Sequence, residues 1–210
     1  MDARQYLNIP RLRSLSEFQA YLDQIHVELP VDEEVQPGTG SPLAQPFKMA
    51  NGRLIGNRFC INPMEGWDAE ADGNPTELMR RRWLKFGRSG AKLIWGSEAA
   101  AIRPDGRANP NQLMILDHTM AGVAKLRLEM VKEHRVHFGR TDDLFIGLQL
   151  THSGRFCRPN QKTKLEPKIV YHHPVLDQLF HIDPGYPVLT DMEIDDLIPV
   201  VAERLEHRVG

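Results

Sequence analysis

Residues 144–155 read Leu-Phe-Ile-Gly-Leu-Gln-Leu-Thr-His-Ser-Gly-Arg, and this stretch constrains the fold more than any other. Its first seven residues are apolar or glycine except Gln149, the pattern of a strand buried on both faces of a parallel sheet. They run into a polar cluster containing Gly154, where a strand hands over to a loop. In a barrel of parallel strands the working face is the rim at the carboxyl ends. Gln149, His152 and Arg155 are therefore expected at or above that rim. A buried glutamine is costly unless both edges of its amide find partners. Two readings stand: a core strand whose glutamine is satisfied within the protein, or a strand offering its amide to a flat heterocycle with alternating donors and acceptors.

A chain of 210 residues suits one ordinary domain, and 41% hydrophobic content suffices for a core. A complete barrel of eight strands and eight helices usually takes about 250 residues, so the chain is short for the architecture its motifs suggest. With 26 basic and 28 acidic side chains the net charge is -2, which gives no electrostatic case for nucleic acid or an anionic membrane. No apolar run approaches the roughly 20 residues of a membrane span, and the amino terminus has no signal-peptide core, so a cytoplasmic protein is expected. Cys60 and Cys157 lack the spacing of a disulfide framework, a zinc site or an iron-sulfur site. Both are expected as free thiols, Cys60 in the core.

Residues 1–45 read as an arm, with a helix over 16–25 after the Ser14 cap and an acidic, Pro/Gly-rich stretch over 31–46. The domain proper is expected over 46–210. It opens with a hairpin at Asn51-Gly52 and a strand over 58–64 that Pro63 stops, because proline cannot donate to a sheet ladder. Asn74, Pro75 and Glu77 signal a helix start, and Arg80 to Arg82 read as its solvated face. A second strand over 91–97 leads to Ser97-Glu98-Ala99. Asp117 is expected to cap a helix ending near Glu133, with Met120, Val123, Ala124, Leu128 and Val131 inward and His134 and His137 at the surface. Residues 156–189 read as an irregular excursion of the kind that covers a substrate. Its His172, His173 and His181 are the sole basis for a metal-dependent hydrolase reading, and an irregular loop holds metal ligands poorly. Thr190 and Glu193 form a capping box for a last helix bearing Ile194, Leu197, Val201 and Leu205, in which Pro199 predicts a kink or a later start.

Three segments carry a resemblance. Asn57-Arg58-Phe59-Cys60-Ile61-Asn62-Pro63-Met64, then Ser97-Glu98-Ala99, then Gln149-Leu150 with His152-Ser153-Gly154-Arg155, resemble the first, second and third strands of the old yellow enzyme family of FMN-dependent oxidoreductases. The resemblance implies an α/β fold, the TIM (β/α)8 barrel of the FMN-linked oxidoreductase type, of which residues 46–210 supply about the first three β/α units. It implies FMN as cofactor, NADH or NADPH as reductant, and a small-molecule substrate, an activated alkene or similar acceptor. By this match Gln149 binds the pyrimidine side of the flavin, Pro63, Met64 and Ala99 line the ring, and Trp67 faces substrate. Glu65 falls where the family has Thr or Cys beside the reactive edge. An ionised carboxylate there disfavours the anionic reduced flavin, whereas a protonated one donates a hydrogen bond. The plain alternative for Glu65-Gly66-Trp67 is a solvated loop with one buried aromatic. Glu98 is either support behind the site or a paired surface carboxylate.

The family's fourth-strand histidine pair and its phosphate-binding strands would lie past Gly210. No catalytic residue is therefore carried over, and His152 in the third strand is not given that role. An open three-stranded sheet would expose edge backbone and an apolar face. A longer polypeptide, a homo-oligomer or a partner chain completing the barrel is expected. The alternative is a half-barrel redeployed as an interaction or assembly subunit.

Overall fold

The computed structural model describes residues 6–206, the side chains of 204–206 excepted, and the chain divides into two compact units, residues 1–42 and 43–210. In the first, α1 (Leu15–Gln24) starts where Ser14 Oγ accepts from Glu17 N at 3.2 Å while Glu17 Oε2 accepts from Arg13 N at 2.7 Å. Tyr21 and Leu22 are its buried residues, and the Tyr21 hydroxyl accepts from Leu7 N at 2.8 Å.

The second unit opens with the hairpin β1 (Phe47–Lys48) and β2 (Leu54–Ile55), turned at Asn51-Gly52 with Gly52 at φ +83°. Next come β3 (Cys60–Ile61), α2 (Glu77–Arg88), β4 (Leu93–Ala101), α3 (Met120–Phe138) and β5 (Phe145–Thr151). The three strands β3, β4 and β5 are all parallel and lie in that order, so each helix crosses between neighbouring strands. Alternation along β5 decides which side is the core. Ile146, Leu148 and Leu150 pack with Ile94 and Ala100 against Met79, Trp83, Val123, Leu126 and Met130 of the helices. Phe145, Gly147 and Gln149 lie on the other face, where Trp95 stacks on Phe145 with ring centroids 6.1 Å apart. The strand is thus packed on one face only, where Ile146, Leu148 and Leu150 are partly buried, and Gln149, expected inside, is exposed.

Other expectations shift for local reasons. Thr76, not Asn74, caps α2, because its hydroxyl accepts from Met79 N while donating to Asp68 O; Asn74 is occupied with Asp72. The inward face of α3 carries Leu126 and Met130, whereas Leu128 points out. That helix begins after Thr119 and ends at Gly139 in the left-handed conformation. The excursion contains α4 (Pro174–Phe180), capped by the His173 imidazole. The last helical region breaks at Asp196 into α5 (Asp191–Asp195), with the Thr190/Glu193 capping box, and α6 (Leu197–Glu206). Pro199 then falls in the first turn of α6, where its missing N–H has no intrahelical acceptor to lose. The side chain of Leu205, expected on that helix's apolar face, lies outside the described residues. Of the cysteines, Cys157 is the buried one and Cys60 is exposed.

His134, expected at the surface, is fully buried and ties three elements together. Its Nδ1 lies 2.9 Å from Gly87 O at the end of α2, and its Nε2 lies 2.9 Å from Lys92 Nζ beside β4. An ammonium can only donate, so Nε2 accepts and Nδ1–H donates, which requires the neutral ring. Burial, then the Lys92 ammonium, hold its pKa below the usual histidine value. Between that lowered value and the unfolded one of about 6.5 the unfolded chain binds the extra proton, so the stabilising contribution is complete above about pH 6.5 and is lost on acidification. Thermal denaturation between about pH 7 and 5 should show this decline, and His134→Gln, which keeps a donor and an acceptor but cannot titrate, should remove that part of the slope.

Candidate functional site at the strand carboxyl ends

The carboxyl ends of β3, β4 and β5 converge because β4 carries extra residues. Trp95 pairs with Gly147 but Ala99 pairs with Gln149, so four steps along β4 match two along β5. This bulge pivots at Gly96, whose φ is +86° and where a Cβ would lie 2.6 Å from the Pro63 Cβ. Only a residue without a side chain lets the exit of β3 approach so closely. Beyond the bulge Ala99 is buried, and its N–H reaches Met64 O at 3.4 Å. Met64 is 71% exposed and Trp67 48%. Pro63, Met64, Ala99 and Gln149 are thereby gathered at one rim of three adjacent strands. The Gln149 amide has no hydrogen-bond partner among the described residues, and its side chain projects from the face away from the helices.

The bulge also turns Glu98 beneath the rim. Its side chain has no solvent access, so it is not a surface carboxylate; Oε1 accepts from Gly66 N and Oε2 from Arg82 Nη2, each at 2.6 Å. Arg82 reaches Asp68 Oδ1 as well, at 2.7 Å, and so belongs to no solvated face; Arg80 pairs with Glu129 and Glu77. Burial pushes the Glu98 carboxyl above the ordinary range, with Arg82 opposing it. Burial pulls the guanidinium down, but Glu98 and Asp68 outweigh it and hold Arg82 above its usual value. The network clamps Gly66 between the two residues that matter most at the rim, Glu65 and Trp67.

Glu65 accepts from Trp67 Nε1 at 2.9 Å on one oxygen and from Gln112 Nε2 at 3.2 Å on the other. Gln112, in the loop after β4, is wholly buried. Its Nε2 also lies 2.9 Å from Ala99 O and 3.1 Å from Thr151 Oγ1, so its two N–H groups are shared among three acceptors, and its Oε1 accepts from Ala108 N at 2.7 Å. One amide thus joins the ends of all three strands. Glu65-Gly66-Trp67 is no loosely solvated loop around a buried aromatic: the carboxylate is fixed and the indole is half exposed, with Trp67 at φ +51°. That conformation is strained for a bulky residue and is retained because the surroundings enforce it.

The outer rim is held by other polar ties. Buried Arg107 donates to the carbonyls of Ala71, Pro104, Pro110 and Pro159, which belong to the loops that follow each of the three strands. Arg155, expected at the rim, turns toward the excursion, where it pairs with Asp177 and donates to Tyr171 O. His172 also meets Asp177, at 2.8 Å, so its role is to hold the excursion; no group of three or more metal-ligating side chains occurs among the described residues. His152 accepts from Gly154 N through Nδ1, and burial lowers its pKa; it lines a cavity of about 130 Å³ with Arg103, Asp105, Lys168 and Glu193. Gln112 and Arg107 carry no local signature in the sequence, since a glutamine or arginine between turn residues reads as a loop. Their importance lies wholly in partners distant along the chain.

Removing one member of a buried ion pair strands the other. Arg82→Met should cost about 3 kcal/mol in urea denaturation, because Glu98 is left buried and unpaired. Adding Glu98→Gln should restore a large part of that loss, whereas two independent surface residues would give additive changes.

No protein-family profile and no curated protein sequence matches the chain. Solved structures do. An old yellow enzyme homologue from Zymomonas mobilis superposes with a TM-score of 0.58 at 20% identity, covering 77% of this chain and 43% of that one. The old yellow enzyme of a Pichia species gives 0.62 at 18% identity over 83% of this chain and 45% of its own. Morphinone reductase gives 0.55 at 21% identity over 80% and 45%. The chain spans less than half the length of these structures. The likeness is one of fold: the chain has the architecture of part of an old yellow enzyme barrel, and no described helix is long and apolar enough to cross a membrane.

Proposed function

We propose that this chain is part of an FMN-dependent NAD(P)H oxidoreductase acting on an activated alkene or similar small-molecule acceptor. The observation that carries the reading is the meeting of Pro63, Met64 and Ala99 with the unpartnered amide of Gln149 at one rim of three parallel strands. These groups fit a flavin ring by their chemistry. A carboxamide supplies a donor and an acceptor to a pyrimidine edge, and exposed apolar side chains such as Met64 suit a flat aromatic face. Bound FMN would supply the hydride chemistry, taking a hydride from NADH or NADPH and passing it to the acceptor.

The chain's own residues bind and position. Gln149 holds the pyrimidine edge and fixes the rotation of the ring. Pro63, Met64, Glu65 and Ala99 line it, with Ala99 set by the bulge and by the Gln112 amide on its carbonyl. Trp67 faces the acceptor, tethered by its N–H to Glu65. The Glu98–Arg82–Asp68 network keeps these loops from drifting, which is the protein's main contribution where a cofactor carries the reaction.

The test is an FMN titration of the full chain followed by flavin fluorescence. Saturable binding is expected, and Gln149→Leu should weaken it about tenfold, the size of one or two hydrogen bonds, with the circular dichroism spectrum unchanged because the side chain is exposed. A folded chain that binds no FMN, or binds it equally well with and without the amide, would overturn the proposal and favour an assembly role for the half-barrel.

A further inference from the structure

Glu65 is a carboxylate that no cationic side chain answers among the described residues. Each oxygen takes one neutral N–H, from Trp67 and from Gln112, which leaves further lone pairs on both. The nearby guanidinium of Arg82 is already shared between Asp68 and Glu98, and no Lys or Arg forms an ion pair with Glu65 among the described residues. Arg82 is thus engaged by Asp68 and Glu98, and Glu65 has neutral partners only. The half-exposed indole of Trp67 is tethered to the same carboxylate, so a negative charge and an aromatic ring sit side by side at the solvent.

A carboxylate beside an aromatic ring is the pairing that recognises an ammonium group, one through charge and the other through the quadrupole of its π face. Its arrangement in advance matters, because a carboxylate that had to be ordered on binding would give back side-chain entropy. Gln112 removes that cost by fixing Glu65 from a fully buried position. A carboxylate-bearing or phosphate-bearing acceptor meets repulsion at the same point.

Resting on the flavin reading for the reaction itself, we infer that Glu65 and Trp67 form the specificity element of this rim and select an acceptor carrying an ammonium or other cationic group, with Gln112 as the positioning residue. The carboxylate engages the charge, the indole covers its alkyl substituents, and the reacting bond of the acceptor is directed toward the face lined by Ala99 and Gln149.

The test uses the full chain, with and without FMN, and reads tryptophan fluorescence during titration with choline and with its uncharged isostere 3,3-dimethyl-1-butanol. Choline should bind about tenfold more tightly than the isostere. Trp67→Phe should remove most of the signal, which assigns it to this ring and not to Trp95. Glu65→Gln should bring the ratio of the two affinities below about twofold, and Gln112→Met should narrow it while the isostere still binds, which general unfolding would not do. Equal binding of the two probes by the unaltered chain, or a ratio that survives Glu65→Gln, overturns the inference. The two proposals fail separately: lost FMN binding with a retained choline preference sinks only the flavin reading, and FMN binding without any preference sinks only this one.

Discussion

A carboxylate without solvent access survives in a protein only if its charge is answered on the spot, and Glu98 is answered by Arg82 and by the N–H of Gly66. Much of the rim follows from that. To reach them, β4 must depart from its regular pairing, and the extra residues between Trp95 and Ala99 supply the departure. The same bulge sets Ala99 against Gln149 and brings the exit of β3 onto Gly96. Arg82 is delivered by α2, whose burial of Met79 and Trp83 fixes its rotation. Packing of one helix and distortion of one strand are therefore coupled through a single ion pair.

The loops above the sheet are organised by side chains whose polar capacity is nearly used up. The Gln112 amide oxygen accepts from Ala108 N in the loop, and its two N–H groups are shared among Ala99 O, Thr151 Oγ1 and Glu65 at the three strand exits. Arg107 satisfies most of its N–H groups with backbone carbonyls and has no carboxylate partner among the described residues, and burial lowers its pKa. Loops fixed this way lack the secondary structure that would otherwise order them, so the ordering is concentrated in a few hydrogen-bond hubs.

The two faces of the sheet differ in kind. One is closed by α2 and α3 with fully buried Ile94, Met79 and Met130. The other presents Trp95, Phe145 and Gln149, with the Arg53 guanidinium 4.6 Å from the centre of the Phe145 ring. Apolar residues thus lie on both faces of the sheet, but only the one toward α2 and α3 is covered by packing among the described residues.

The sequence by itself determined the order and kind of the elements through β5, though not the helix within the excursion: the Asn51-Gly52 hairpin, the Ser14 cap and the Thr190/Glu193 capping box are short-range devices whose partners lie within a few residues. Apolar runs stopped by Pro63 or by polar residues also marked the ends of three separate strands, while Ala99 and Gln149 were singled out there by the family resemblance. What it could not reveal were interactions between residues far apart in the chain. His134 looked like a surface residue at a helix end, Arg82 like one of three solvated arginines, and Gln112 like a loop residue, yet each is tied down by partners 16 to 47 positions away, and His134 and Gln112 are fully buried. The double-sided burial read into β5 failed for the same reason, since composition shows that a face is apolar but not what covers it. Local hydrogen bonding and periodicity are written in neighbouring residues; burial, charge pairing and the bulge that creates the rim were decided only when the tertiary structure brought distant groups together.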